Sequence, residues 1–153
     1  MWYYKNETIS TLPEECVGFV YIITNLINGK KYIGKKLANF SKTKYKTVSL
    51  KNGEKKKKKI KYKEESDWKI YWSSSEELKK DVIKYGESSF KREILHFCEN
   101  KGLMSYLELK EQMNFCVLES EDYYNGIIQV RIHKSHIKEY NARLSKSSIT
   151  EST

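Results

Sequence analysis

The sequence predicts an α/β (α+β) fold in which a small three-stranded antiparallel sheet is flanked by helices. Three observations predict it. Two short apolar-rich runs meet around an Asn-Gly pair, a capped amphipathic stretch follows downstream, and a third alternating run precedes a second amphipathic stretch. A short hairpin can join only antiparallel strands, so the core of the sheet is antiparallel.

The first two strands are expected from Gly18 to Thr24 and from Lys30 to Gly34, joined across Asn28-Gly29, a strong hairpin signal. A two-residue loop there pairs Asn25 with Tyr32 and Tyr21 with Lys36. A four-residue loop from Leu26 to Gly29 keeps the same parity. Either way Tyr21, Tyr32, Gly34 and Lys36 share one face, while Val20, Ile22 and Ile33 form an apolar layer on the other. Residues 1–17, with "WYY" near the start, are expected to be an irregular lead-in packed on a domain spanning 18–125.

Beyond Leu37 the alternation fades. Eleven lysines fall between Lys42 and Lys63, around a second turn pair at Asn52-Gly53. This excursion, residues 41–65, reads as a lysine-coated hairpin or as a loop ordered on a polyanion. Trp68, Tyr71 and Trp72 are expected to dock it on the core. A helix then begins after Ser75, a good N-cap followed by Glu76 and Glu77. Leu78, Val82, Ile83 and Tyr85 supply its apolar stripe, and Gly86 stops it. "SFKREILHF", Ser89 to Phe97, alternates as the third strand. A second helix is expected from about Leu103 to Leu118, closed by "YYN" at Tyr123 to Asn125. Residues 126–153 form a basic extension, strand or helix at first, with a Ser/Thr-rich end after Arg143 expected to fray.

Charge is the informative total. Lys and Arg outnumber Asp and Glu by 29 to 20, for a net charge of +9. That excess favours a polyanionic partner, nucleic acid ahead of an acidic membrane or an acidic protein. Only Arg92, Arg131 and Arg143 are arginines, and lysine-dominated charge suits sequence-blind phosphate contact. No apolar run approaches the roughly 18 residues of a membrane span. The N-terminus lacks the apolar core of a signal peptide, so the cytoplasm is the expected compartment. Cys16, Cys98 and Cys116 lack metal-ligand spacing and read as reduced, mostly buried thiols.

Two phenols, a lysine and a glycine on one sheet face invite a chemical reading. A phenol titrates near pH 10, so it serves as a base near neutrality only beside a cation or metal. Lys36 is the nearest candidate and Lys35 the next. Gly34 leaves space for a phosphate backbone to approach the sheet. Ser73 and Ser74 precede a helix, where hydroxyls and amides can hold a phosphate. His133 and His136 are three apart but lack a third ligand nearby, and they read as solvent-facing.

"GFVY" at Gly18 to Tyr21 and "YIG" at Tyr32 to Gly34 resemble the paired signature of the GIY-YIG nucleases. One extra residue separates glycine from tyrosine in the first motif. "YWSSSEELKKDVIKYGESSFKREIL", from Tyr71 to Leu95, is similar to the helix and third strand of the family's phage branch, and "YLELKEQ" with "YYN" to its acidic helix and closing asparagine. The resemblance covers about 110 residues, Gly18 to Asn125. It implies a metal-dependent DNA endonuclease encoded by a phage or mobile element, acting on double-stranded DNA with magnesium or manganese. Tyr32, or less often Tyr21, would orient or deprotonate the attacking water. Glu108 would bind the metal, with Glu111 as the alternative, and Asn125 with Gln112 would support the site.

The chain departs from that family where an arginine is expected in the helix after the second motif. None occurs between Gly34 and Lys91. Lys36 or Lys35 would have to supply the charge, or Arg92 or Arg131 if the fold returns them to the site. A catalytically impaired nucleic-acid-binding protein of the same fold therefore stands as an alternative, as does a basic scaffold or inhibitor of an acidic partner. Only 28 residues follow Asn125, so specificity is expected to be weak, shape-based or supplied by a protein partner.

Overall fold

The computed structural model describes residues 1–151, with side chains through Ser147. Its centre is the expected hairpin. β3 (Gly18–Asn25) and β4 (Lys31–Leu37) pair antiparallel, with Tyr21 opposite Gly34 and Ile23 opposite Tyr32. β1 (Trp2–Tyr4) and β2 (Glu7–Ile9) precede it, and β7 (Phe90–Cys98) lies on its other side. The sheet order is β2-β1-β7-β3-β4. It has five strands rather than three, and β1 runs parallel to β7.

The added strands come from the segment expected to be irregular. Lys5 and Asn6 both adopt positive φ, at 50° and 68°, and so make the two-residue turn that matches a twisted hairpin. Trp2 anchors β1 by donating its indole N–H to the Trp68 carbonyl at 2.8 Å. The β3–β4 loop is the four-residue alternative: Asn25 N–H bonds to the Lys30 carbonyl at 2.8 Å. Both loop lengths are even, so the predicted division of faces holds.

Each face carries its own core. Against one face pack Trp2, Phe19, Tyr21, Ile23, Trp68, Leu78, Val82, Phe90 and Ile94. Against the other pack Val20, Ile33, Cys98, Leu103, Met104, Leu107 and Val117. A bulge at Leu95 shifts the β3–β7 register between Val20 and Tyr21. Ile94 and Leu95 thereby serve opposite cores, and His96 turns to the second face.

α1 (Glu76–Tyr85) has the predicted Ser75 cap, whose hydroxyl accepts from Leu78 N–H, and ends at Gly86 with φ 87°. Ile83 departs from the expected stripe and is 86% exposed. α2 spans Lys101–Asn114, shorter than expected, because Cys116 takes positive φ and closes a Schellman motif: Val117 N–H bonds Gln112 O and Cys116 N–H bonds Met113 O. α3 (Lys138–Glu151) docks on α2 through Tyr140 and Tyr106, whose ring centroids lie 6.1 Å apart. The helix runs on beyond Arg143, where fraying was expected. Residues 152–153 lie outside the described residues.

The lysine excursion is a hairpin, β5 (Asn39–Ser49) against β6 (Lys55–Glu65), forming a separate two-stranded sheet. The three cysteines are free, two buried and Cys116 exposed. Among the described residues, no helix is long and apolar enough to cross a membrane.

Candidate active site

The tyrosine face of β3–β4 is built from interlocking rings. Tyr21 is 1% exposed, its ring centroid 6.2 Å from Tyr32, 6.1 Å from Tyr71 and 5.4 Å from Trp2. Its phenol fills the space above Gly34: a Cβ there would lie 2.5 Å from the Tyr21 hydroxyl and 2.7 Å from the Tyr32 ring. The sequence suggests that this gap admits a phosphate. Instead it admits Tyr21, because the residue directly across the pair projects its ring over the missing side chain.

Tyr32 is the accessible phenol. It is half-buried, and its hydroxyl shares a 3.1 Å hydrogen bond with Ser74 Oγ. Tyr71 stacks edge-on against Tyr21, so the three phenol rings and the exposed Ser74 form one cluster. Ser73, buried with φ 88°, instead accepts from Ser75 N–H at 3.1 Å; its hydroxyl shapes the loop and is not offered to a phosphate. Burial pushes both Tyr21 and Tyr32 above the ordinary phenol range, and the charge of Glu108 pushes both further.

No cation offsets this, and here the expectation for Lys36 fails. Its ammonium is held 2.6 Å from Asp67 and lies 4.0 Å from the Tyr71 ring centroid, with only 10% of the side chain exposed. The pairing holds the Asp67 carboxyl below the usual carboxylate range. Lys36 thus pins the segment after β6 rather than activating a phenol.

Neither internal arginine reaches the phenols. Arg92 is buried between the indoles of Trp2 and Trp72, 4.7 and 4.1 Å from their centroids, and donates to the Tyr71 carbonyl at 2.9 Å. Its Nε has no partner, and burial brings its pKa down to about 10. Arg131 is exposed on the extended segment after Asn125 and makes no ion pair among the described residues.

Glu108 and Glu111, three apart on α2, go to different places. Glu111 bonds His96 at 2.8 Å, a contact made possible by the bulge that turns His96 onto this face. Glu108 sits at the β4 edge, its side chain 15% exposed and 3.9 Å from Lys35 Nζ. Lys35 in turn donates to Ser105 Oγ at 2.8 Å. Burial raises the Glu108 pKa and Lys35 only partly offsets it. Among the described residues there is no group of three His, Cys, Asp or Glu side chains able to hold an ion. A single carboxylate suits magnesium or manganese, hard ions that keep several waters and take further oxygens from a substrate phosphate.

The edge of β4 is stitched by two amides. Asn125 accepts from Ile33 N–H at 3.0 Å and donates to Ile33 O at 2.8 Å, and Gln112 donates to the same carbonyl at 3.1 Å. The residue between Tyr32 and Gly34 is thereby satisfied as if by another strand. Three partners escaped the sequence reading. Tyr71 and Asp67 complete the ring and lysine contacts, and Asn25, fully buried, donates to Tyr124 OH at 3.1 Å. A buried Asn at a strand end next to a hairpin was the available signal for the last.

Residues 2–128 match the family model described as "Putative endonuclease segE, GIY-YIG domain". The chain belongs to the GIY-YIG endonuclease family. It is also 29% identical over 137 residues to a curated relative, "Putative endonuclease segE" of Enterobacteria phage T4. The match covers 85% of this chain and 54% of that protein, so the chain spans about half the length of the relative. No solved structure matches it significantly. The GIY-YIG match begins at Trp2 and so includes the β1–β2 hairpin that the motif-based reading left outside.

Proposed function

We propose that this chain is a metal-dependent DNA endonuclease that hydrolyses phosphodiester bonds at the edge of β4, between Tyr32 on one face and Glu108 on the other, with magnesium or manganese held by Glu108. The observation that carries the reading is one accessible phenol and one partly buried, under-neutralised carboxylate along the same strand edge of a GIY-YIG chain. When bound, a divalent cation supplies Lewis-acid stabilisation of phosphoryl charge.

The chain's own residues do the rest. Tyr32, with its pKa raised, is a hydrogen-bond donor at neutral pH and orients the attacking water or a phosphate oxygen. Ser74 fixes the Tyr32 hydroxyl. Tyr21 and Gly34 set the ring's position from below, and Asn125 with Gln112 holds the edge strand rigid at Ile33, next to the reactive residue. Lys35 lies 3.9 Å from Glu108 and offsets part of the burial that pushes its pKa up.

The substrate is double-stranded DNA, as the lysine-dominated charge suits backbone contact without base reading. The test is nicking of supercoiled plasmid with magnesium, against EDTA, Tyr32→Phe and Glu108→Gln. Metal-dependent nicking lost in both variants supports the enzyme.

A second reading, a DNA-binding protein without cleavage, is favoured by one observation: the arginine on the phenol face, Arg92, is buried between Trp2 and Trp72 and bonds the Tyr71 carbonyl, so it offers no fork to a phosphate. Mobility shift without nicking under any divalent metal would establish it instead.

A further inference from the structure

The protein's basicity is concentrated in one element. Residues 39–65 contain eleven lysines and three glutamates, a net +8, leaving +1 for the other 126 residues. These residues are the β5–β6 ribbon, which pairs with no other strand. Its eleven-residue strands extend roughly 37 Å at about 3.4 Å per residue.

An isolated two-stranded hairpin is marginal in water, and like charges facing one another across it weaken it further. Lys46 faces Lys58 directly. Lys42 pairs with Glu64, but Lys55 through Lys59, Lys61 and Lys63 make no ion pair among the described residues. The ribbon is thus a self-repelling structure that a polyanion would complete.

The register distributes this charge in a telling way. One face carries Lys42, Lys44, Lys46, Lys56 and Lys58. The other carries Lys55, Lys57, Lys59, Lys61 and Lys63, opposite the hydroxyls of Ser41 through Ser49 on β5. An arm that docks on a flat acidic surface needs charge on one face only. An arm in a groove walled by two phosphate strands needs it on both. B-DNA's major groove is about 12 Å wide and admits a two-stranded ribbon, and a helical turn is about 34–36 Å long.

The root fixes where the arm points. Ser66 N–H bonds Ala38 O at 2.9 Å, Ser66 Oγ bonds Leu37 O at 2.5 Å, and the Phe40 ring lies 5.0 Å from Lys36 Nζ. Lys36 belongs to the tyrosine face, so the ribbon springs directly from the edge of the candidate active site.

We infer that the β5–β6 ribbon is the DNA-holding arm of this protein, lying in the major groove over a part of one turn and gripping both phosphate strands without reading bases. The inference rests on the nuclease reading for its partner, but it concerns binding alone. Its lysines are interchangeable point charges, so affinity depends on their number and on salt.

The test is fluorescence anisotropy of a labelled 30-base-pair duplex titrated in EDTA over a range of salt. The variant changes Lys55, Lys56, Lys57, Lys58 and Lys59, all exposed, to Gln. The expected result is a salt slope shallower by about 4–5 and at least tenfold weaker binding near 0.1 M salt, at unchanged Tm. Changing Lys79, Lys80, Lys84, Lys101 and Lys110 to Gln should shift the slope by less than about 1. Equal losses in the two variants, an unchanged slope, or equally effective competition by polyglutamate at matched charge would overturn the inference. Absence of guanine N7 protection from dimethyl sulfate would overturn the groove placement. Wild-type nicking with an unaltered slope in the ribbon variant would sink the arm and spare the nuclease. A lost slope with no nicking by the wild type would do the reverse.

Discussion

The two Asn-Gly hairpins use the same turn chemistry and meet opposite fates. In each, the Asn side chain accepts the N–H two residues on, at 2.9 Å for Asn28 and 3.1 Å for Asn52, and the Gly takes positive φ. β3–β4 is then covered on both faces and joined by β7, whereas β5–β6 stands alone in solvent. The turns do not decide this. The strand residues do: Val20, Tyr21, Ile23 and Ile33 can be buried on two sides, while eleven lysines cannot be buried on any. One hairpin holds its reactive groups by packing, and the other leaves its charges free for a partner.

The largest expected effects follow from that division of labour. Glu108→Gln and Tyr32→Phe should each lower plasmid nicking by about 10²-fold or more, while duplex affinity in EDTA stays within about twofold. Neutralising the ribbon should do the opposite: affinity falls, and turnover at saturating DNA is kept. A ribbon variant that lost turnover under saturation would show that the arm also shapes the active site.

Gly34→Ala comes next, and it distinguishes crowding from backbone strain. Gly34 has ordinary strand φ, but a Cβ there meets the buried Tyr21 phenol at 2.5 Å. Overpacking of this kind costs about 1–3 kcal/mol, a Tm loss of roughly 2–4 °C per kcal/mol in a chain of this size. Restored Tm in a Gly34→Ala, Tyr21→Phe double variant would assign the loss to the hydroxyl.

Much of the central hairpin was legible in the sequence because parity is robust: loops of two and four residues put the same side chains on the same face. The β1–β2 hairpin was hidden because Lys5 and Asn6, without a glycine, make its left-handed turn. The choice between Glu108 and Glu111 could not be read from helical spacing. It depends on a bulge at Leu95, in the strand that α2 packs against, that turns His96 toward Glu111. Lys36 misled for a related reason. Its face was foreseen, but Asp67 returns beside it only because the ribbon's two ends are bonded together.

The turn glycines test whether the ribbon is an independent unit. Gly29 has φ 78° and Gly53 has φ 86°, and neither would crowd an added Cβ. Alanine at either costs about 1–2 kcal/mol of local strain. At Gly29 that strain belongs to the global unfolding unit, so Tm should fall by roughly 2–8 °C. At Gly53 the ribbon tip can open alone, and Tm should hold while amide exchange in β5 and β6 speeds up. Equal Tm losses at both glycines would mean that ribbon and core unfold together.

The smallest effect concerns the partly buried carboxylate of Glu108. The folded-state pKa of Glu108 is raised by burial, so the folded protein holds that proton to higher pH than the unfolded chain. The destabilising charge is absent below the unfolded value, near 4.3, grows as pH rises toward the folded value, and is fully present above it. Glu108→Gln should therefore match the wild type in Tm near pH 4 and exceed it at pH 7, by about 1 kcal/mol or less, since Lys35 at 3.9 Å offsets part of the penalty. Magnesium should raise the wild-type Tm at pH 7 and leave the variant unmoved. A variant less stable than wild type at pH 7 would show that the Lys35 attraction outweighs burial, and that Glu108 is held as one half of an ion pair rather than kept waiting for a cation.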